Sequence, residues 1–175
     1  NNHNGNPDRA DSATPFLTEA GKTGTLSEVF GPFGDDAYKN MSYIIDGEDN
    51  KGYTLDLLFG ENVRLDADDD ASTVEFSWLE RGGNSDMRLF GIKAGNILTA
   101  DSIHMTRGQT TGAGWTLDTL EIGGAQNVEG LGISLDSSWT DLIGFRLVAV
   151  NGDNGPDVVA VGTSELRVVP SPGPV

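Results

Sequence analysis

Apolar and polar residues alternate along most of the chain from Met41 onward, which is the period of a β-strand. Such runs place one row of side chains on a core and the other toward water. The apolar faces of the runs are Tyr53, Leu55, Leu57 and Phe59; Val74, Phe76 and Trp78; Met87 and Leu89; Trp115 and Leu117; and Phe145, Leu147 and Ala149. Turn signals rich in glycine and asparagine separate the runs. The pattern predicts an all-β fold, an antiparallel and jelly-roll-like β-sandwich of about 9–10 strands.

The two ends of the chain differ from its middle. Residues 1–25 are polar and rich in Asn, Gly, Thr and Asp, with Phe16 and Leu17 as an apolar pair. We expect this segment to be an extended N-terminal arm. Residues 26–169 are expected to form the β-sandwich domain, which is long enough to bury a core. Residues 170–175 read as a proline-rich C-terminal spacer.

Charge and composition narrow the choice of partners. The chain has 27 acidic and 11 basic residues, a net charge of −16, and no cysteine. A field of that sign repels nucleic acids and anionic lipid, so neither is an expected partner. No apolar run approaches the roughly 18 residues that a membrane span needs. Without cysteine, no disulfide framework holds the fold.

Three acidic clusters suggest a calcium site. Calcium takes six to eight oxygen ligands, which clustered Asp and Asn side chains and loop carbonyls supply. The predicted ligands are Asp46, Glu48 and Asn50; Asp66, Asp68 and Asp70; and Asn151, Asp153 and Asp157. Solvated acidic turns are the alternative for each cluster, since neighbouring carboxylates repel one another unless they are neutralised.

Sequence patterns of catalysis are weak in this chain. It has two histidines, His3 and His104, and no nucleophile-elbow sequence accompanies either. Carboxylates are plentiful, but no pair stands out as a glycosidase pair. We therefore expect a protein that is not an enzyme. Trp139 lies in a polar turn and is the aromatic residue that we expect at the surface, where it would stack on a sugar ring.

Three short motifs resemble a known class of bacterial surface proteins. They are Phe76-Ser77-Trp78, the run from Leu89 to Asn96, and the spacer Val169-Pro170-Ser171-Pro172-Gly173-Pro174. Together they resemble secreted β-sandwich proteins that carry a PEP-CTERM sorting signal and are substrates of exosortases, with Ser171 where the name-giving Glu would stand. The resemblance implies export to the cell surface or extracellular matrix of a bacterium. It implies no catalytic residue.

Two functions fit these features. The first is a structural subunit of an extracellular filament, sheath or matrix, a homo-polymer in which the N-terminal arm is donated as a strand to another copy. Phe16 and Leu17 would then be its anchors. The alternative is a calcium-stabilised carbohydrate-binding module that holds surface glycans through Trp139.

Overall fold

The chain forms twelve strands and two short 3₁₀ helices in the residues that the computed structural model describes, which are 14–17, 52–118 and 125–170. The strands are β1 Thr14–Leu17, β2 Tyr53–Leu58, β3 Val63–Leu65, β4 Phe76–Arg81, β5 Met87–Lys93, β6 Ile97–Leu98, β7 Ile103–Met105, β8 Thr111–Asp118, β9 Gln126–Ile133, β10 Gly144–Ala149, β11 Val158–Thr163 and β12 Leu166–Val168. The 3₁₀ helices are Arg107–Gln109 and Ser137–Trp139. None of the helical segments in these ranges has the length and apolarity to cross a membrane.

The strands build two larger antiparallel sheets and one small one. The first sheet has the order β1-β8-β9-β4-β11. The second has the order β2-β10-β5-β6, with β7 also paired to β5. β12 and β3 form a two-stranded sheet, and Leu65 of β3 bridges to Leu142 in the chain just before β10. Neighbours in these sheets are mostly distant in the sequence.

The core lies between the two larger sheets. Phe76 and Trp78 of β4 are fully buried, and so are Leu89 of β5 and Leu147 of β10. Phe76 meets Phe145 of β10 edge to face, with ring centroids 5.0 Å apart, so side chains of the two sheets are in direct contact. This arrangement confirms the predicted all-β sandwich, because most of the alternating apolar residues whose side chains are described pack in this core, with the exposed Val74 as an exception.

Two crossovers close one end of the sandwich. Residues 82–86 link β4 in the first sheet to β5 in the second, and residues 150–157 link β10 back to β11. The crossovers run side by side, since the main-chain N–H of Asp86 donates to the carbonyl of Asp153 at 2.8 Å. The Ser85 hydroxyl donates to the carbonyl of Asn154 at 3.1 Å. This end therefore depends on polar contacts between loops.

A bulge divides β8 into two parts. Gly112 pairs with Glu129 and Thr116 pairs with Asn127, so β8 holds two more residues than β9 between these pairs. Gly114 has a φ of +83°, a conformation that side chains rarely adopt, and lies within the bulge. Beyond it, β8 and β9 continue past the last pair between β9 and β4. β1 pairs with this outer part of β8.

Candidate functional site

The N-terminal strand occupies the edge of the first sheet. The four residues of β1 pair antiparallel with β8, Thr14 opposite Asp118 and Leu17 opposite Trp115. Pro15 stands inside β1, and proline is tolerated in sheets at edges because it has no N–H to donate. Part of the predicted arm is thus a strand. The predicted anchors Phe16 and Leu17 belong to it, while their side chains lie outside the described structure.

A cluster of ion pairs lies where the two crossovers meet, and we call it the polar end cluster. Its members are Glu80, Arg81, Ser85, Asp86, Arg88, His104, Arg107, Asp153 and Asp157. Glu80, Arg81, Ser85, Asp153 and Asp157 of this set are buried. Burying a charge is costly unless it has a partner, and arginines are the partners of the two buried aspartates.

Each arginine of the cluster binds one aspartate. The Arg81 guanidinium donates to Asp157 from Nε at 2.9 Å and also from Nη2. Arg88 Nη1 donates to Asp153 Oδ2 at 2.8 Å. The third pair is bidentate, because Nε and Nη2 of Arg107 each lie 3.0 Å from an oxygen of Asp86. The Arg107 side chain lowers the pKa of Asp86, mainly through these hydrogen bonds.

One group of three possible metal ligands converges in the ranges that the structure describes. Ligand atoms of Asp86, His104 and Asp153 all lie within 4.8 Å of one another. One imidazole nitrogen and two carboxylates suit a transition-metal ion better than calcium. However, Arg88 and Arg107 already neutralise the two carboxylates. The geometry therefore favours a structural ion-pair network at this point.

Of the predicted calcium ligands Asn151, Asp153 and Asp157, the two aspartates accept hydrogen bonds from arginines and from the main chain. Asp153 Oδ2 accepts from Arg88 and from the Val150 N–H, the latter at 2.7 Å, and the Asp157 carboxylate accepts from Arg81. Asn151 is exposed. Asp46, Glu48 and Asn50 lie outside the described residues. Calcium binding by either cluster stays a prediction.

The middle acidic cluster is built from local turns. Asp66 pairs with Arg167 at 2.9 Å and accepts from the Thr140 hydroxyl. Asp68 accepts from the main-chain N–H of Asp70 at 2.9 Å. Asp70 in turn accepts from the hydroxyl and the N–H of Ser72. These side-chain and main-chain hydrogen bonds lower the pKa of Asp70. Each of the three carboxylates thus has its own partners.

A cavity of about 150 Å³ lies beside this acidic cluster. Its lining residues are Asp69, Asp70, Ala71, Ser134, Leu135 and Asp136. Asp69 accepts from the N–H of Ser137 at 2.6 Å, and Asp136 caps the following 3₁₀ helix by accepting from the N–H of Ser138 at 2.8 Å. These two carboxylates therefore order the loop before Trp139.

Trp139 is buried, so the prediction that it lies at the surface is wrong. Its side chain is part of the hydrophobic core, and the residue is only 4% exposed. The reason is local geometry: the capped 3₁₀ helix Ser137–Trp139 turns the ring inward although its sequence neighbours are polar. The ring has no free face for a sugar to stack on.

Glu80 is the one member of the polar end cluster whose pKa is moved strongly. The residue is fully buried, Oε2 accepts from the Gly83 N–H at 2.6 Å, and Oε1 has no hydrogen-bond partner among the described residues. Burial raises the pKa of this carboxyl from 4.5 to about 7, although the hydrogen bond from the Gly83 N–H opposes the change. The folded protein therefore favours the neutral acid.

We expect Glu80 to make stability fall as the pH rises from about 4.5 to about 7. Between these values the folded chain holds a proton that the unfolded chain has released, so this contribution is complete below pH 4.5 and lost by about pH 7. The free energy of unfolding should decline by up to about 1.4 kcal/mol per pH unit in this window. Urea unfolding at a series of pH values measures it.

Glu80→Gln is the matched control for this pH dependence, since glutamine is neutral at every pH and close in shape. The variant should lose most of the decline between pH 5 and pH 7. Aspartates with a lowered pKa, such as Asp70 and Asp86, titrate below this window and do not interfere. An equal slope in the variant and the parent would show that Glu80 does not titrate there.

Comparison with known proteins identifies no protein similar to this chain. No family model matches the sequence, and neither the curated proteins nor the solved structures contain a significant match. A function for this chain is therefore inferred from its own residues and strands.

Proposed function

We propose that this chain is a non-enzymatic structural subunit of an extracellular filament, sheath or matrix, and that copies of it assemble through the N-terminal arm by strand donation. The observation that supports this most is the position of β1, which is the end strand of the first sheet and pairs with β8 through main-chain hydrogen bonding. A strand held at an edge in this way can be supplied by the same chain or by another.

The surface charge sets the conditions for such a polymer. Each copy carries a net charge of −16, so two copies repel each other at low ionic strength. Salt at physiological concentration screens most of this repulsion. Calcium bound at the acidic loops would reduce it further and would join neighbouring copies, which gives the predicted calcium sites a role in assembly.

No observation in the described ranges favours the carbohydrate alternative. That function rested on Trp139 as an exposed stacking platform, and the ring is in the core. The three aspartates of the polar end cluster are held by arginines, which gives them a structural role. We therefore keep self-assembly as the single proposal.

Removal of residues 1–20 is expected to abolish assembly. The truncation deletes β1, so the donated strand no longer exists. Light scattering and negative-stain microscopy in 0.15 M salt, with calcium and then with a chelator, should show long particles for the intact chain and monomers for the truncated one.

A shorter truncation controls for general effects of shortening the chain. Removal of residues 1–10 leaves Thr14–Leu17 in place and should preserve assembly. If the chain without residues 1–20 still forms long particles, the arm is not the assembling element. If the intact chain stays monomeric in all of these conditions, the filament proposal is wrong.

A further inference from the structure

The outer part of β8 is a distinct segment of the sheet edge. Thr116 and Leu117 pair with Asn127 and Gln126 of β9, beyond the last pair between β9 and β4, which joins Val128 to Arg81. The bulge at Gly114 separates this part from the rest of the strand. β1, β8 and β9 thus form a three-stranded ribbon that extends past the end of β4.

β1 is attached to this ribbon by a short ladder and a long connection. It contributes four residues, all paired with Trp115–Asp118. The 35 residues from 18 to 52 join it to β2 at the edge of the other sheet. A chain of that length spans at most about 125 Å. A folded domain of this size has a radius of gyration of about 16 Å, so the connection is long enough to reach another copy.

We infer that the main-chain edge of β8 at Trp115–Asp118 accepts Thr14–Leu17 from a second copy of this chain, in the same antiparallel register as within one chain. This inference rests on the proposed function and specifies its acceptor. The ladder within one chain and the ladder between two chains use the same main-chain groups. Exchange therefore needs no new contact surface.

Pro15 explains why exchange ends with one strand. Within the described ranges, β1 has β8 on one side and no strand on the other. Proline lacks an N–H group, so the outer edge of an occupied ribbon is a poor template for another strand. Each ribbon consequently accepts a single arm, and growth proceeds from subunit to subunit.

The absence of cysteine from the sequence makes a direct test possible. Directly opposed residues of antiparallel strands have Cα atoms about 4.5–5.5 Å apart, within the range that a disulfide tolerates. Thr14→Cys and Asp118→Cys change two such opposed positions. The two single variants are mixed in denaturant, refolded together in 0.15 M salt and oxidised, and peptide mapping by mass spectrometry identifies the linked residues.

We expect a disulfide between residue 14 of one chain and residue 118 of the other. The control mixes Thr14→Cys with Gly112→Cys, because Gly112 lies before the bulge and pairs with Glu129 instead of β1. Its yield of linked chains should be at least tenfold lower. Circular dichroism of each single variant verifies that it has folded before the yields are compared.

The outcomes separate this inference from the proposed function. A link between residues 14 and 118 of different chains, together with long particles of the intact chain, supports both. The link without long particles supports the acceptor and overturns the polymer. If the intact chain forms long particles but this link does not form, the β8 edge is not the acceptor, while the proposed polymer is still supported. A chain that carries both Thr14→Cys and Asp118→Cys tests pairing within one chain. If it forms the disulfide only within itself and the mixtures of single variants stay unlinked, strand exchange is overturned. If the intact chain forms no long particles and the mixtures give no linked chains, both proposals are overturned.

Discussion

Replacing Gly144 with alanine is expected to lower the free energy of unfolding by about 3 kcal/mol, the upper end of what overpacking usually costs. Gly144 lies in β10 between β2 and β5, opposite Leu58 on one side and Ile92 on the other. A Cβ atom at this position would lie 2.3 Å from the main-chain oxygen of Leu57. A main-chain atom in a paired strand cannot rotate away, so β2 or β10 would have to shift. Chemical denaturation of the parent and the variant measures the loss.

Gly112→Ala is the matched control for the Gly144 prediction. Gly112 is also a strand glycine, but a Cβ atom there would meet nothing within 4 Å. Its replacement should change the free energy of unfolding by less than about 0.5 kcal/mol, as is usual for exposed positions. Similar losses in the two variants would mean that close approach of β2 to β10 is not what requires a glycine at position 144.

Replacing Arg81 with methionine is expected to destabilise the protein by about 3–5 kcal/mol. The Arg81 side chain is 3% exposed and that of Asp157 is 12% exposed. Methionine keeps much of the apolar stem but removes the guanidinium that faces the buried carboxylate of Asp157. The pair joins the end of β4 to the second crossover, so the loss should also open this end of the sandwich. Urea unfolding and hydrogen exchange of residues 82–86 measure the two effects.

Arg146→Met provides the comparison at the surface. Arg146 makes a bidentate pair with Asp56, with Nε and Nη2 at 2.6 and 2.7 Å from its oxygens, but both side chains are about one third exposed. Exposed pairs contribute about 0–1 kcal/mol, so this variant should be near neutral. Replacing Arg81 and Asp157 together by apolar residues should recover part of the loss, since both charges of the pair are then removed. Equal effects at Arg81 and Arg146 would argue against a special role for burial.

The alternation of the sequence was sufficient to predict the fold class and much of the core. Phe76 and Trp78, predicted to share a face, are both fully buried, and Phe145 and Leu147 are buried on the facing sheet. Period-two patterns report this directly, because burial of one face is what imposes the alternation. The prediction that Trp139 lies at the surface was wrong for a related reason. This residue stands outside any alternating run, and its inward orientation depends on a capped turn and on the core around it.

The pairs of the polar end cluster could not be read from the sequence. Arg81 and Asp157 are 76 residues apart, and Arg88 and Asp153 are 65 apart, so each pair depends on how the crossovers meet. Local clustering of acidic residues suggested metal ligands at Asp153 and Asp157, but neighbours in sequence say nothing about a cation supplied by a distant strand. His104 reaches Asp86 and Asp153 only because β7 pairs with β5, opposite Arg88.

The distance along the chain between β1 and its partner has a consequence for synthesis. Thr14 is made about one hundred residues before Asp118, its partner in the ladder. At about 5–20 residues per second, the arm exists for roughly 5–20 s before the edge that it pairs with has been made. Under the proposed strand donation, a completed copy whose own arm has been donated elsewhere would offer that edge earlier than the growing chain does. The order of synthesis would then allow an arm to meet the edge of another copy before its own edge exists.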